Sequence, residues 1–173
     1  MKSITLVFML SMMFMMSAQT RKDEKIIKDA VKAKKELIKA DDGIHTFFEK
    51  SAGYVIFPNV GEGGFIIGGA SGNGVLYQNG KAKGMADLKK LDVGFQAGGQ
   101  SIIEIIFFET EEDVNAFEEG KFEFSAQVSA VVLKSGVAAN AKYKEGVAVF
   151  AVPKSGLMAK ASVGGQKFKY HSF

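Results

Sequence analysis

The stretch AGYVIFPNVGEGGFIIGGASGNG, Ala52–Gly74, interleaves glycine with strand-forming residues such as Tyr54, Val55, Ile56, Phe57, Phe65, Ile66 and Ile67. Glycine is poor in helices and weak in strands, so its density here must serve a purpose. It either cradles a phosphate or lets strands bend and pack closely. The dinucleotide fingerprint needs G-x-G-x-x-G between a strand and a helix. Ile66 stands where the third glycine after Gly61 and Gly63 belongs, and Tyr77 where the third after Gly72 and Gly74 belongs. Neither segment opens a predicted helix. The Walker pattern fails too, because Gly80-Lys81 is followed by Ala82. The glycines therefore read as serving shape.

Strands follow on both sides of this reading. YVIF is expected to stop at Pro58, which cannot donate to a ladder. GVLYQNGKAKGM is a hairpin around Asn79-Gly80, a strong short-range turn signal. LDVGFQAGGQ and SIIEIIFFE are two further strands. Ile102–Phe108 is almost wholly apolar and so is expected to be buried on both faces. Glu104 interrupts it, and is expected to face solvent or pair with a lysine rather than sit as a buried acid. TEEDVNAFEEG reads as a short acidic helix, with Thr110 and Asp113 forming a capping box and Gly120 stopping it. The remainder to Phe173 is again β-rich.

The N-terminal part is different. Lys2 precedes the uncharged run ITLVFMLSMMFMM, Ile4–Met16, and small residues follow at Ser17 and Ala18. A positive start, a short apolar core and a small-residue site are the features of a secretory signal. Residues 1–18 are accordingly expected to be a signal peptide and 19–173 the mature domain, periplasmic or secreted. Thr20–Ala40 has helical spacing. Ile26, Ala30, Ala33 and Leu37 share one face, widened by Ile27, Val31 and Ile38. The other face is rich in lysine, and the helix carries about four net positive charges. Asp41–Gly43 ends it, and IHTFFEKSAG reads as a second, short helix closed by Gly53.

Composition narrows the chemistry. The chain has 173 residues, enough for one domain with its own core. There is no cysteine, which excludes disulfides, thiolate zinc sites, thiol nucleophiles and lipoprotein anchoring. The net charge of +3 is too small to indicate nucleic acid. His45 and His171 each stand alone in sequence, Ser71 lies outside any G-x-S-x-G motif, and no metal-ligand spacing occurs. No catalytic residue, metal or cofactor is expected, and the protein reads as a non-enzyme.

The ordered series AGYVIFPNVGEGGFIIGGASGNGVL, DVGFQAGGQSIIEIIFFETEEDVNAF and KSGLMAKASVGGQKF resembles the SYLF domain family. That family shows an A-x-G-x-x-I-F-P segment, a G-F-x-x-G-G hairpin, a G-x-G-V-L strand and a closing G-L-x-A-x-x-x-x-G-G-x strand. Its W-S-x-P-like segment is replaced here by KGMADLKKL. The resemblance implies phospholipid binding, with phosphoinositides bound by eukaryotic members. Some of those also bind actin through basic residues, which an exported protein would not meet. The basic region falls on the lysine helix, so Lys25, Lys28, Lys32, Lys35 and Lys39 are the expected lipid-binding residues. The partner implied is an anionic phospholipid or membrane surface. The alternative is a structural or protein-interaction module of the envelope without lipid specificity. The expected fold is α+β: a curved antiparallel sheet or partly closed barrel, with an N-terminal helix pair and one short acidic helix.

If the export reading holds, protein isolated from its native host will have an intact mass lacking Met1–Ala18. A mass that retains those residues rules the reading out.

Overall fold

The computed structural model describes residues 2–61, 69–91, 101–124, 128–154 and 165–173. Helix α1 (Lys2–Ala40) leads through a 3-10 turn (Asp42–Ile44) into α2 (His45–Lys50). Strands β1 (Gly53–Gly61), β2 (Gly69–Gln78), β3 (Lys81–Leu91) and β4 (Ser101–Phe108) come next, then α3 (Glu111–Glu118). Strand β5 (Val131–Val132), a 3-10 turn (Ala138–Asn140), β6 (Val147–Pro153) and β7 (Gln166–Ser172) complete the order. The expected α+β class is the one observed. The strands form one sheet in the order β5-β6-β4-β1-β2-β3-β7, antiparallel throughout except for the β5–β6 pair. Among the described residues it is mixed and open, and does not close into a barrel. The sequence-predicted strand segments at Phe65–Ile67 and Asp92–Gln100 lie outside the described residues.

Strand β4 is the spine, flanked by β1 and β6. Its apolar run is buried on both faces because each face has its own cover. Ile103, Ile105 and Phe107 pack beneath α1 and α2, with Ala30, Ala33, Leu37 and Phe47. Ile106 and Phe108 belong to a second core with Val114 and Phe117 of α3 and with Phe122, Phe124 and Phe168. The capping box forms as expected: the Thr110 hydroxyl accepts from the Asp113 N–H, and the Asp113 carboxylate accepts from the Thr110 N–H. The β2–β3 hairpin also forms as expected, with φ of 53° at Asn79 and 74° at Gly80.

The second face is strongly concave. Gln166 at the start of β7 donates through Nε2 to Glu104 Oε2 of β4 at 3.1 Å. Three strands stand between β4 and β7, so in a flat sheet they would be about 19 Å apart at ~4.8 Å per step. Only a curled sheet brings them together. The Phe57 and Phe168 rings, centred 5.9 Å apart, span the same fold. Glu104 is therefore not a solvent-facing residue: it is 1% exposed, inside the curl. The expectation failed because alternation places residue 104 on the same face as Ile106 and Phe108, and tertiary curvature covers that face.

The glycines of the opening stretch make this curvature possible. On the concave side β2 presents Ala70, Gly72 and Gly74 before Leu76, so little side-chain bulk resists the bend. A Cβ on Gly74 would lie 2.6 Å from the Phe57 ring and 2.6 Å from the Ile56 carbonyl. Gly84 of β3 receives the Tyr170 ring in the same way, at 2.5 Å from a Cβ position. Aromatic rings thus fill the volume that glycine leaves on the neighbouring strand.

Two boundaries differ from the sequence reading. Gly53 opens β1 rather than closing α2, which ends at Lys50. Strand β1 does not stop at Pro58 but runs through it to Gly61, with an irregularity between Phe57 and Val60. A bulge is where a central strand tolerates the missing N–H of proline.

Gly74→Val is expected to destabilise the fold by about 2–3 kcal/mol through overpacking against Phe57. Gly80→Ala, with open space around it, should cost only about 1 kcal/mol of left-handed strain. Urea denaturation of the two variants checks the difference, and equal losses would remove close packing as the role of Gly74.

Candidate functional site

Helix α1 divides cleanly into a docked face and a free face. Ala30 and Leu37 are fully buried and Ala33 nearly so, while Ile26, Ile27 and Ile38 pack at the margin of the same core. Val31 does not join them: it is 48% exposed, because its position falls beyond the edge of the docked stripe. Lys25, Lys28, Lys32, Lys35 and Lys39 are all exposed. At ~100° per residue they occupy about 80° of the helix circumference, opposite Ala30 and Leu37. With ~1.5 Å rise they extend over about 21 Å of helix axis. Val31 sits within reach of Lys28 and Lys35, at spacings that make helix neighbours. Lys32 pairs with Asp29 at 3.4 Å in solvent, a contact of little energetic weight.

Two residues that the sequence reading did not single out hold this helix in place. Lys34 flanks the docked stripe instead of joining the free face. Its ammonium lies 4.2 Å from the Phe48 ring centre and donates to the Tyr54 hydroxyl at 3.1 Å. Burial lowers its pKa from the usual lysine value. The signal was present in the spacing, since Lys34 follows Ala30 by four and precedes Leu37 by three.

Asp41 fastens the other end. It is 4% exposed. Its Oδ1 accepts from the Gly43 N–H at 3.0 Å and its Oδ2 from the Ala138 N–H at 2.6 Å. Burial by itself would raise the carboxyl pKa, but hydrogen bonds from the N–H groups of Ala138, Gly43, Gly136 and Val137 outweigh it and the net shift is downward. The carboxylate so ties the end of α1 to a turn 97 residues away in sequence. Its partner N–H groups were not readable from Asp41-Asp42-Gly43.

The residues weighed for catalysis remain scattered. His45 lies 3.6 Å from Asp42, exposed. His171 lies in β7, paired with Met85 of β3 and 3.3 Å from Asp87. Among the described residues no group of three or more histidines, cysteines and carboxylates is placed to hold a metal.

A lysine-faced helix docked on one side of a curled glycine-rich sheet defines a helix-plus-sheet fold. Residues 89–172, from the end of β3 through β7, match the family model described as Ysc84: Las17-binding protein actin regulator. That match falls on the part of the chain where the sequence resembles the SYLF family, and it agrees with the resemblance. The match does not extend over α1, β1 or β2. The chain is also 28% identical, over 123 residues, to Beta cell expansion factor A of Aeromonas veronii. That alignment covers 70% of this chain and 46% of the relative, so the chain spans about half of that protein's length.

Because the Asp41 pKa is lowered on folding, its contribution to stability is present above the ordinary carboxylate value. It is lost as pH falls through the lowered folded value. Asp41→Ala should cost about 2 kcal/mol at pH 7 by leaving buried N–H groups without an acceptor. Denaturant titrations at neutral and acid pH should show the gap to the parent protein narrowing below about pH 3.9. A constant gap would remove the charge of Asp41 from the account.

Proposed function

We propose that the protein is a non-enzymatic phospholipid-binding module of the cell envelope, exported, and applied to anionic membrane through the free face of α1. The observation that carries this reading is the gathering of Lys25, Lys28, Lys32, Lys35 and Lys39 on one exposed stripe while the opposite stripe is committed to the core. A helix docked through Ala30, Ala33, Lys34 and Leu37 and fastened at its end by Asp41 presents those ammonium groups without having to be ordered by the membrane. Val31, exposed between Lys28 and Lys35, adds an apolar side chain at the level where headgroups meet acyl chains. The SYLF resemblance, which implies phospholipid binding and with which the match of residues 89–172 agrees, supports the lipid class.

Each lysine near an anionic surface is worth about 1 kcal/mol. Replacing Lys28, Lys32, Lys35 and Lys39 together by glutamine should keep the helix, since glutamine is nearly as good a helix former as lysine. It should weaken binding to anionic vesicles by at most about a thousandfold, equivalent to ~4 kcal/mol. Exposed charges are screened beyond ~8 Å at physiological salt, so parent binding should fall steeply between low and moderate salt. Vesicle co-sedimentation at two salt concentrations measures both effects. Unchanged affinity in a folded quadruple variant would take the basic helix out of the mechanism.

A further inference from the structure

The Lys22–Asp29 stretch of α1 borders a polar cleft of about 270 Å³ shared with β1 and β2. Lys22, Lys25 and Asp29 line it from the helix, Asn59 from β1, and Ser71 and Asn73 from β2. Pro58 forms part of its wall, and this is where the bulge in β1 matters. Val55 and Phe57 belong to the concave core, and so does Val60, three positions on rather than two or four. The extra residue reverses the alternation, leaving exposed Asn59 at the cleft instead of inside the curl. A bulge that re-aims one polar side chain of a central strand is the kind of feature found beside binding sites.

The cleft is supplied with donors. Lys22 and Lys25 line it, and Lys154, which is not among the lining residues, donates to Asn59 Oδ1. That contact leaves the NH2 end of Asn59 as a donor, and Ser71 adds a hydroxyl. Asn73 is held by its own hydrogen bond to Asp87. The acid on the cleft wall, Asp29, is paired with Lys32. The volume falls just below the ~300–1,000 Å³ of pockets for drug-sized ligands, which suits a headgroup and not an acyl chain.

We propose that this cleft is a site for a phosphate monoester, with Lys22, Lys25, Asn59 and Ser71 as its donors. A monoester carries close to two negative charges and three free oxygens near neutral pH, which two lysines and two neutral donors can meet. A phosphodiester offers one charge and two free oxygens between two ester arms, one charge fewer for the same two lysines. The monoester is either a lipid headgroup, which rests on the membrane reading above, or a soluble small molecule such as a polyol phosphate.

The test uses the full chain and two measurements. The first is binding to phosphatidylcholine vesicles carrying phosphatidic acid, or phosphatidylglycerol at matched surface charge. The second is calorimetric titration with glycerol 3-phosphate. We expect about tenfold tighter binding to phosphatidic acid, the scale of one charge-assisted hydrogen bond. Ser71→Ala should remove most of that preference while leaving phosphatidylglycerol binding unchanged, and Lys25→Gln, at an exposed position, should weaken both. Competition by glycerol 3-phosphate that Ser71→Ala abolishes supports the site with a lipid source. Ser71-dependent binding of glycerol 3-phosphate without any vesicle preference supports it with a soluble source. If no vesicle is bound at all, the membrane reading fails, and the glycerol 3-phosphate titration alone decides the cleft. Equal affinity for the two charged vesicles together with no binding of glycerol 3-phosphate overturns the proposal. A preference untouched by both substitutions overturns it as well.

Discussion

The hydrogen bond between Glu104 and Gln166 is short in space and long in the sheet. Its existence requires β7 to return across the concave face over β1, β2 and β3. Everything on that face follows from the curl. Phe57, Phe117 and Phe168 meet as one aromatic cluster, and α3 finds a core to dock on. A carboxylate and an amide in such a place have to satisfy one another, because burial of either without a partner costs about 1–3 kcal/mol. The pair thus marks the interior and restricts which register of β7 can occupy it.

Curvature in turn demands that one face of β2 and β3 carry little bulk. Ala70, Gly72 and Gly74 on β2, and Gly84 and Ala86 on β3, meet that demand. The aromatic rings of Phe57 and Tyr170 take up the vacated volume. What looked in the sequence like a run fit for a phosphate loop is a bending device. Its convex side is then free for α1, which covers Tyr54, Ile56, Val75 and Met85 with Ala30, Ala33 and Leu37. The same division of labour produces the basic face: once the small apolar stripe is spent on the sheet, the lysines at intervening positions have nowhere to go but outward.

The bulge at Pro58–Asn59 connects scaffold to chemistry. A proline in a central strand interrupts the ladder, and the interruption shifts β1 by one residue against both neighbours. The consequence is a polar residue delivered to the helix side, where it lines the same cleft as Lys25 and Ser71. A local backbone necessity thereby shapes a cleft at the end of the lysine stripe.

Much of this was legible in the sequence, and for identifiable reasons. Asn79-Gly80 dictates its turn because both positions need positive φ, and the Thr110–Asp113 capping box is local chemistry. The periodicity of Ile26, Ala30, Ala33 and Leu37 sets which side of α1 docks, and the lysines follow by exclusion. These are interactions within a few residues, so the local order of side chains is enough to specify them. Other features were decided only by the tertiary structure. The burial of Glu104 depends on a strand 62 residues later, the acceptor role of Asp41 on a turn 97 residues later, and the anchoring of Lys34 on Phe48 and Tyr54. The passage of β1 through Pro58 depends on strands holding it from both sides. In each case the partner is brought by chain topology and curvature, which no local pattern encodes, because the contact exists only after the sheet has curled.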